Sequence, residues 1–130
     1  KISKGELQKV ILCFALLSAP DILVLDEPVF ALSYEDATEA LSILKEYTAK
    51  RSMLVVLSLH DIGQMERFAD HIILFHKDRS HEAGTAEKRL TPEHLEAVYG
   101  TPYSLLKLPR SLSNVMEEME RKRENLKKID

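Results

Sequence analysis

The sequence has one cysteine in 130 residues, Cys13, so no internal disulfide can form and stability must come from packing. Cys13 lies in an apolar helical run and is expected to be a small buried residue rather than a nucleophile. Such usage suits a reducing cytosol. No apolar stretch reaches the ~18–20 residues that cross a bilayer. The N-terminus lacks the charged, then apolar, then small-residue order of a secretory signal. Any membrane role must therefore run through a partner. There is no basic excess either: 18 Lys and Arg stand against 21 Asp and Glu, a net charge of −3, which excludes the electrostatic footprint of a nucleic-acid binder. His71, His76, His81 and His94 have no metal-ligand spacing, and the chain holds no internal repeat or low-complexity segment. No Gly-x-x-x-x-Gly-Lys-Ser/Thr phosphate loop occurs anywhere in it.

What is present begins with Ile22-Leu23-Val24-Leu25-Asp26-Glu27-Pro28. Four aliphatic residues run without alternation into two carboxylates. An unbroken aliphatic run predicts a strand buried on both faces, as in a parallel sheet covered by helices. Unpartnered buried carboxylates are costly, so Asp26 and Glu27 at the strand's end are expected to meet a cation, a metal or water. In open α/β sheets that end is where ligands bind. The apolar fraction of 45% is ordinary for a globular chain, and the length suits one domain.

Local signals divide the rest of the chain. Ser3 and Glu6 make a Ser-x-x-Glu capping box, so a helix starts at Lys4, with Leu7, Val10, Ile11, Phe14 and Leu17 as a buried stripe. Ala19-Pro20-Asp21 ends it. Ser33 is the expected cap of a helix over Tyr34–Lys50, with Leu41, Leu44 and Tyr47 on its apolar side. Met53–Ser58 is an aliphatic, β-branched strand, residues 62–69 a short helix, and His71–His76 a third strand. Residues 81–84 pair with that third strand as a hairpin around Lys77-Asp78-Arg79-Ser80. Thr91 caps a helix with Pro92 at its first position, and His94 stands where a capping box would carry an acid or amide. Beyond Gly100, Leu112, Val115, Met119, Leu126 and Ile129 recur at three- and four-residue steps, with Lys122 breaking the seam. The seam is shorter than a coiled coil needs, which favours a helical tail that lies on its own domain, or frays, rather than a docking or dimerising helix.

Three segments occur in a fixed order: Ile2-Ser3-Lys4-Gly5-Glu6-Leu7-Gln8-Lys9-Val10, then Ile22-Leu23-Val24-Leu25-Asp26-Glu27-Pro28, then Leu57-Ser58-Leu59-His60-Asp61. Together they resemble the ATPase domain of ABC transporters. The first is similar to the family's signature motif, the second to the Walker B strand with its glutamate, the third to the switch-histidine loop. His81-Glu82-Ala83-Gly84-Thr85, Leu90-Thr91-Pro92-Glu93 and Val98-Tyr99-Gly100 resemble the end of that domain, most of all in importers for iron-siderophores, haem and cobalamin. The resemblance covers residues 1–100, the C-terminal half of such a domain, and leaves 101–130 as the tail. It implies an α/β fold: a partial P-loop NTPase core without the Walker A strand and loop.

The resemblance also implies roles. Glu27 would be the general base that polarises water, Asp26 would hold Mg²⁺ through water, and His60 would contact and sense the γ-phosphate. Ser3, Lys4, Gly5 and Glu6 would contact ATP held by a second ATPase subunit, at a helix end whose free amides suit phosphate. Leu32 and Ser33 fall in the loop that couples two ATP sites, where Ser33 replaces the usual aspartate and Phe30 a usual serine. Lys4 and Glu6 replace a glycine and a glutamine of the signature, and Phe14 a common arginine. The implied partners are a second ABC ATPase subunit, a transmembrane permease, and an N-terminal half carrying Walker A. The implied place is the cytoplasm, on the inner membrane face. Two other classes compete: a weakly active ABC-like structural or regulatory subunit, and a soluble ABC protein acting on DNA or ribosomes. The −3 charge and the importer-like 81–100 segment disfavour the last.

Overall fold

The computed structural model describes residues 1–108 and Met119. The tail seam over 112–129, Met119 apart, lies outside the described residues. The chain forms two compact units, Lys1–His60 and the residues from Asp61 onward.

The first unit is helix, strand, helix, strand: α1 (Lys4–Leu17), β1 (Ile22–Leu25), α2 (Tyr34–Arg51) and β2 (Leu54–Leu57). The capping box forms as expected: the Ser3 hydroxyl accepts from the Glu6 N–H and the Glu6 carboxylate accepts from the Ser3 N–H. Ser33 caps α2 by accepting from the Asp36 N–H, and Ser52 ends that helix in the left-handed region. β1 and β2 pair in parallel, Ile22 opposite Leu54 and Leu25 opposite Leu57, with α2 as the crossover. Parallel neighbours need such a crossover because a tight turn cannot reverse the chain twice. Val29, Ala37, Leu41, Leu44 and Met53 are buried. The Tyr47 hydroxyl donates to the Leu16 carbonyl, and Lys9 pairs with Asp36 at 2.8 Å, tying α1 to α2.

Burial departs from expectation on two surfaces. The α1 stripe is exposed, Phe14 at 70% and Leu17 at 78%, as are Leu7, Val10 and Ile11; Cys13 is exposed too. β1 is covered on one face only: Ile22 and Val24, with Leu54 and Val56 beside them, face outward at 45–72% exposure. A parallel sheet is buried on both faces only where helices cover both. The apolar pattern is right for burial, but no described residue of this unit supplies the second cover.

The second unit runs α3 (Ile62–Phe68), β3 (His71–Phe75), β4 (His81–Thr85), α4 (Ala86–Arg89), α5 (Pro92–Tyr99) and α6 (Tyr103–Leu106). Asp61 caps α3 through the Gln64 N–H. β3 and β4 form the expected antiparallel hairpin, with Ile73 opposite Ala83. Thr91 caps α5 by accepting from the His94 N–H, and Gly100 closes it with a left-handed φ of 65°. Ile72, Leu74, Leu90, Leu95 and Val98 are buried, and Leu95 is fully enclosed. Among the described residues each unit thus holds one two-stranded sheet.

Candidate nucleotide site

The carboxyl ends of β1 and β2 bring together residues more than thirty positions apart. The parallel register sets Ser58 beside Asp26, one step beyond the Leu25–Leu57 pair. The Ser58 N–H donates to the Leu25 carbonyl at 3.1 Å. Its hydroxyl donates to Asp26 Oδ1 at 2.7 Å and accepts from the Glu27 N–H at 2.7 Å. One hydroxyl thus fixes both the carboxylate of Asp26 and the backbone of Glu27. Pro28 and Val29, which follow Glu27, are buried. Glu27 itself has a φ of 44°, a left-handed conformation that a side chain adopts at a cost. Such strain persists only where neighbours over-determine it. The Glu27 carboxylate reaches the His60 imidazole, Oε1 to Nε2, and both side chains remain about half exposed at 40% and 51%.

At the start of α1, Ser3 and Glu6 are engaged with each other. The Ser3 backbone N–H, then its hydroxyl, hold the Glu6 carboxyl below its usual range. Lys4 opens α1, leaving helix-end amides available to an anion. Gly5 packs on the loop after β1: a Cβ there would lie 3.1 Å from the Ala31 carbonyl oxygen and 3.4 Å from Leu32 Cδ2. Leu32 donates its N–H to the Val29 carbonyl, and Ser33 is spent on capping α2. The structure therefore unites Asp26, Glu27 and His60, seats Gly5 on Ala31 and Leu32, and gives Ser3, Glu6 and Ser33 capping duties.

Two residues at the site lie in the motif segments with no role implied for them. Ser58 precedes His60 in the switch-histidine segment; assuming that β1 pairs with β2 would have placed it on Asp26. Gln8 hydrogen-bonds the Glu27 carbonyl and the Ala31 N–H, both at 2.9 Å. Its sequence signal is a lone amide in an apolar helix, within the segment that resembles the signature.

In donor chemistry the site suits a magnesium–triphosphate. Asp26 and Glu27 offer carboxylate oxygens, and no cluster of three or more His, Cys, Asp or Glu able to cage a metal occurs among the described residues. Mg²⁺ is commonly held by one or two carboxylates, with water and phosphate oxygens completing its shell.

No family model matches the chain. It is 34% identical over 100 residues to an uncharacterized ABC transporter ATP-binding protein of Methanocaldococcus jannaschii, a match covering 77% of this chain and 39% of that one. It is 31% identical over 98 residues to the cobalamin import ATP-binding protein of Halobacterium salinarum, covering 75% and 25%. It is 40% identical over 83 residues to the molybdenum import ATP-binding protein of Rhodobacter capsulatus, covering 64% and 23%. A solved structure described as an inward-facing conformation of a metal-chelate type ABC transporter superposes with a TM-score of 0.71 at 29% identity, over 78% of this chain and 40% of that one. The chain thus spans two fifths or less of the length of these relatives. With its signature, carboxylate and histidine segments in their order, and with this fold, the chain belongs to the ATP-binding proteins of the ABC transporter family.

Proposed function

We propose that this chain supplies the signature, catalytic-carboxylate and switch-histidine elements of a subunit that hydrolyses ATP to energise import through a separate membrane permease. The observation that carries the reading is the Glu27–His60 pair beside Asp26 at the strand ends. Bound Mg²⁺-ATP would supply an activated phosphoryl group. Asp26 would hold the metal through water, Glu27 would accept a proton from the attacking water, and His60 would contact the γ-phosphate. Ser3, Lys4, Gly5 and Glu6 face the nucleotide of a second ATPase subunit through the amides of α1. Leu32 and Ser33 lie in the loop between the two sites. The phosphate loop comes from an N-terminal half of the domain. Attachment to the inner membrane face runs through the permease, since no helix among the described residues is long and apolar enough to cross a membrane.

The test is Glu27→Gln in the intact subunit with its partners. The change is nearly isosteric but removes the base, so turnover should fall about 10²–10⁴-fold while ATP still binds. Unchanged turnover excludes the role. A second reading, a weakly hydrolysing regulatory subunit, is favoured by one observation: Ser33 stands in the aspartate's place and caps α2. In that case wild-type turnover is already low and Glu27→Gln changes little else.

A further inference from the structure

Both backbone polar groups of Glu27 are bonded by side chains. Its N–H donates to the Ser58 hydroxyl, and its carbonyl accepts from Gln8 Nε2 at 2.9 Å. The same Gln8 amide accepts from the Ala31 N–H through Oε1, also at 2.9 Å. Glu27 and Ala31 are the two ends of one turn, which has its own Phe30 N–H to Glu27 carbonyl bond at 3.2 Å. Among uncharged side chains, a primary amide offers a donor and an acceptor from one planar group, and Gln reaches further than Asn. Gln8 lies on α1, one turn beyond Gly5, which packs against Ala31 and Leu32. The first turns of α1 therefore meet the loop at two points, one steric and one hydrogen-bonded.

We propose that Gln8 is a positioning residue. It clamps the 27–31 turn, holds Glu27 in its left-handed conformation, and so keeps the carboxylate on His60. It also makes the signature end of α1 and the carboxylate move as one body. The consequence for catalysis rests on the reading of Glu27 as the base; the clamp itself does not.

The experiment uses the intact protein in its native assembly, with two variants. Gln8→Met keeps the length of the side chain and removes both hydrogen bonds. Gln8→Glu keeps an acceptor for the Ala31 N–H and loses the donor to the Glu27 carbonyl. In Gln8→Met, amide exchange at Ala31 should quicken about tenfold, while amides in the last turns of α1 keep their rates. In Gln8→Glu, Ala31 should stay protected. The His60 ring resonance should shift in both variants. Turnover should fall about tenfold in both, with KM for ATP changed less than about twofold, because the ground-state grip on nucleotide is untouched. Unchanged Ala31 exchange in Gln8→Met overturns the clamp. Unchanged kcat beside an opened turn overturns the link to the carboxylate. A wild-type protein that does not hydrolyse ATP sinks the proposed function alone, and Ala31 exchange with the His60 resonance still decides the clamp.

Discussion

At the scale of single residues, the second unit holds a dense polar group of its own. Glu82 on β4 accepts from His76 Nε2 at 3.0 Å, from His94 Nε2, and from Arg89 Nη1 at 2.6 Å. Arg89 also donates from Nε to the Ala83 carbonyl. Gly84 makes room for that crossing, since a Cβ there would sit 2.7 Å from Arg89 Nε. Burial alone would raise the Glu82 pKa, but the His94 and His76 hydrogen bonds outweigh it, and the carboxyl lies below its usual 4.5. A lowered carboxyl pKa gives stability that is full above the usual value and is lost as pH falls through the folded one. The melting temperature should therefore drop as pH is taken below 4.5, and Glu82→Gln should flatten that drop. Thermal melts across pH 3 to 7 in wild type and variant check it; parallel slopes would remove Glu82 as the cause. His94 shows why this was hidden in the sequence. It occupies a capping-box position without serving as the box acid, and its ring instead meets a residue twelve positions away.

At the scale of elements, caps and periodicity were readable because they act within a few residues. Ser3, Ser33 and Thr91 cap the helices their patterns announced, and Pro92 opens α5. The strands are shorter than the spans expected for them: Asp26, Met53, Ser58 and His76 fall outside β1, β2 and β3. An aliphatic run marks what a strand wants to bury, whereas its ends are set by which partner groups pair. The exposed stripe leaves α1 more dependent on its cap than a packed helix would be. Ser3→Ala should cost about 0.5–2 kcal/mol of helix stability. Amide exchange at Glu6 and Leu7 should quicken most, with little change at Leu16. Uniform loss of protection along the chain would mean that the cap holds more than its own helix.

At the scale of the whole molecule, the apolar surfaces left open set its behaviour in isolation. Phe14 and Leu17 on α1, Val24 on β1, and Ile73 and Phe75 on β3 are each 55–78% exposed. Uncovered aliphatic faces and open strand edges invite pairing with other chains. The 130-residue chain alone should be marginal, self-associate or rearrange, and on the proposed function an N-terminal half carrying a phosphate loop, added in trans, should disperse and stabilise it. Size-exclusion chromatography with thermal melts measures this; a monomeric, cooperatively melting chain indifferent to that half would contradict it. Isothermal titration of the isolated chain with Mg-ATP should show no tight stoichiometric binding, because no phosphate-loop sequence is present to cradle the phosphates.

Apart from the short helices α4 and α6 and the Asp61 cap, the sequence by itself determined the order of the longer elements, the Ser3, Ser33 and Thr91 caps, and the pairing of carboxylates with a strand end and of His60 with a loop after the next strand. Those follow from local hydrogen bonding and from short-range apolar periodicity. Tertiary structure alone decided that Ser58 bridges Asp26 and Glu27 and that Gln8 clamps Glu27 to Ala31, across separations of 19 to 32 residues. It also decided which apolar faces are covered. A pattern of aliphatic residues states only that a face prefers to leave water; whether it does depends on the presence of a second surface to receive it.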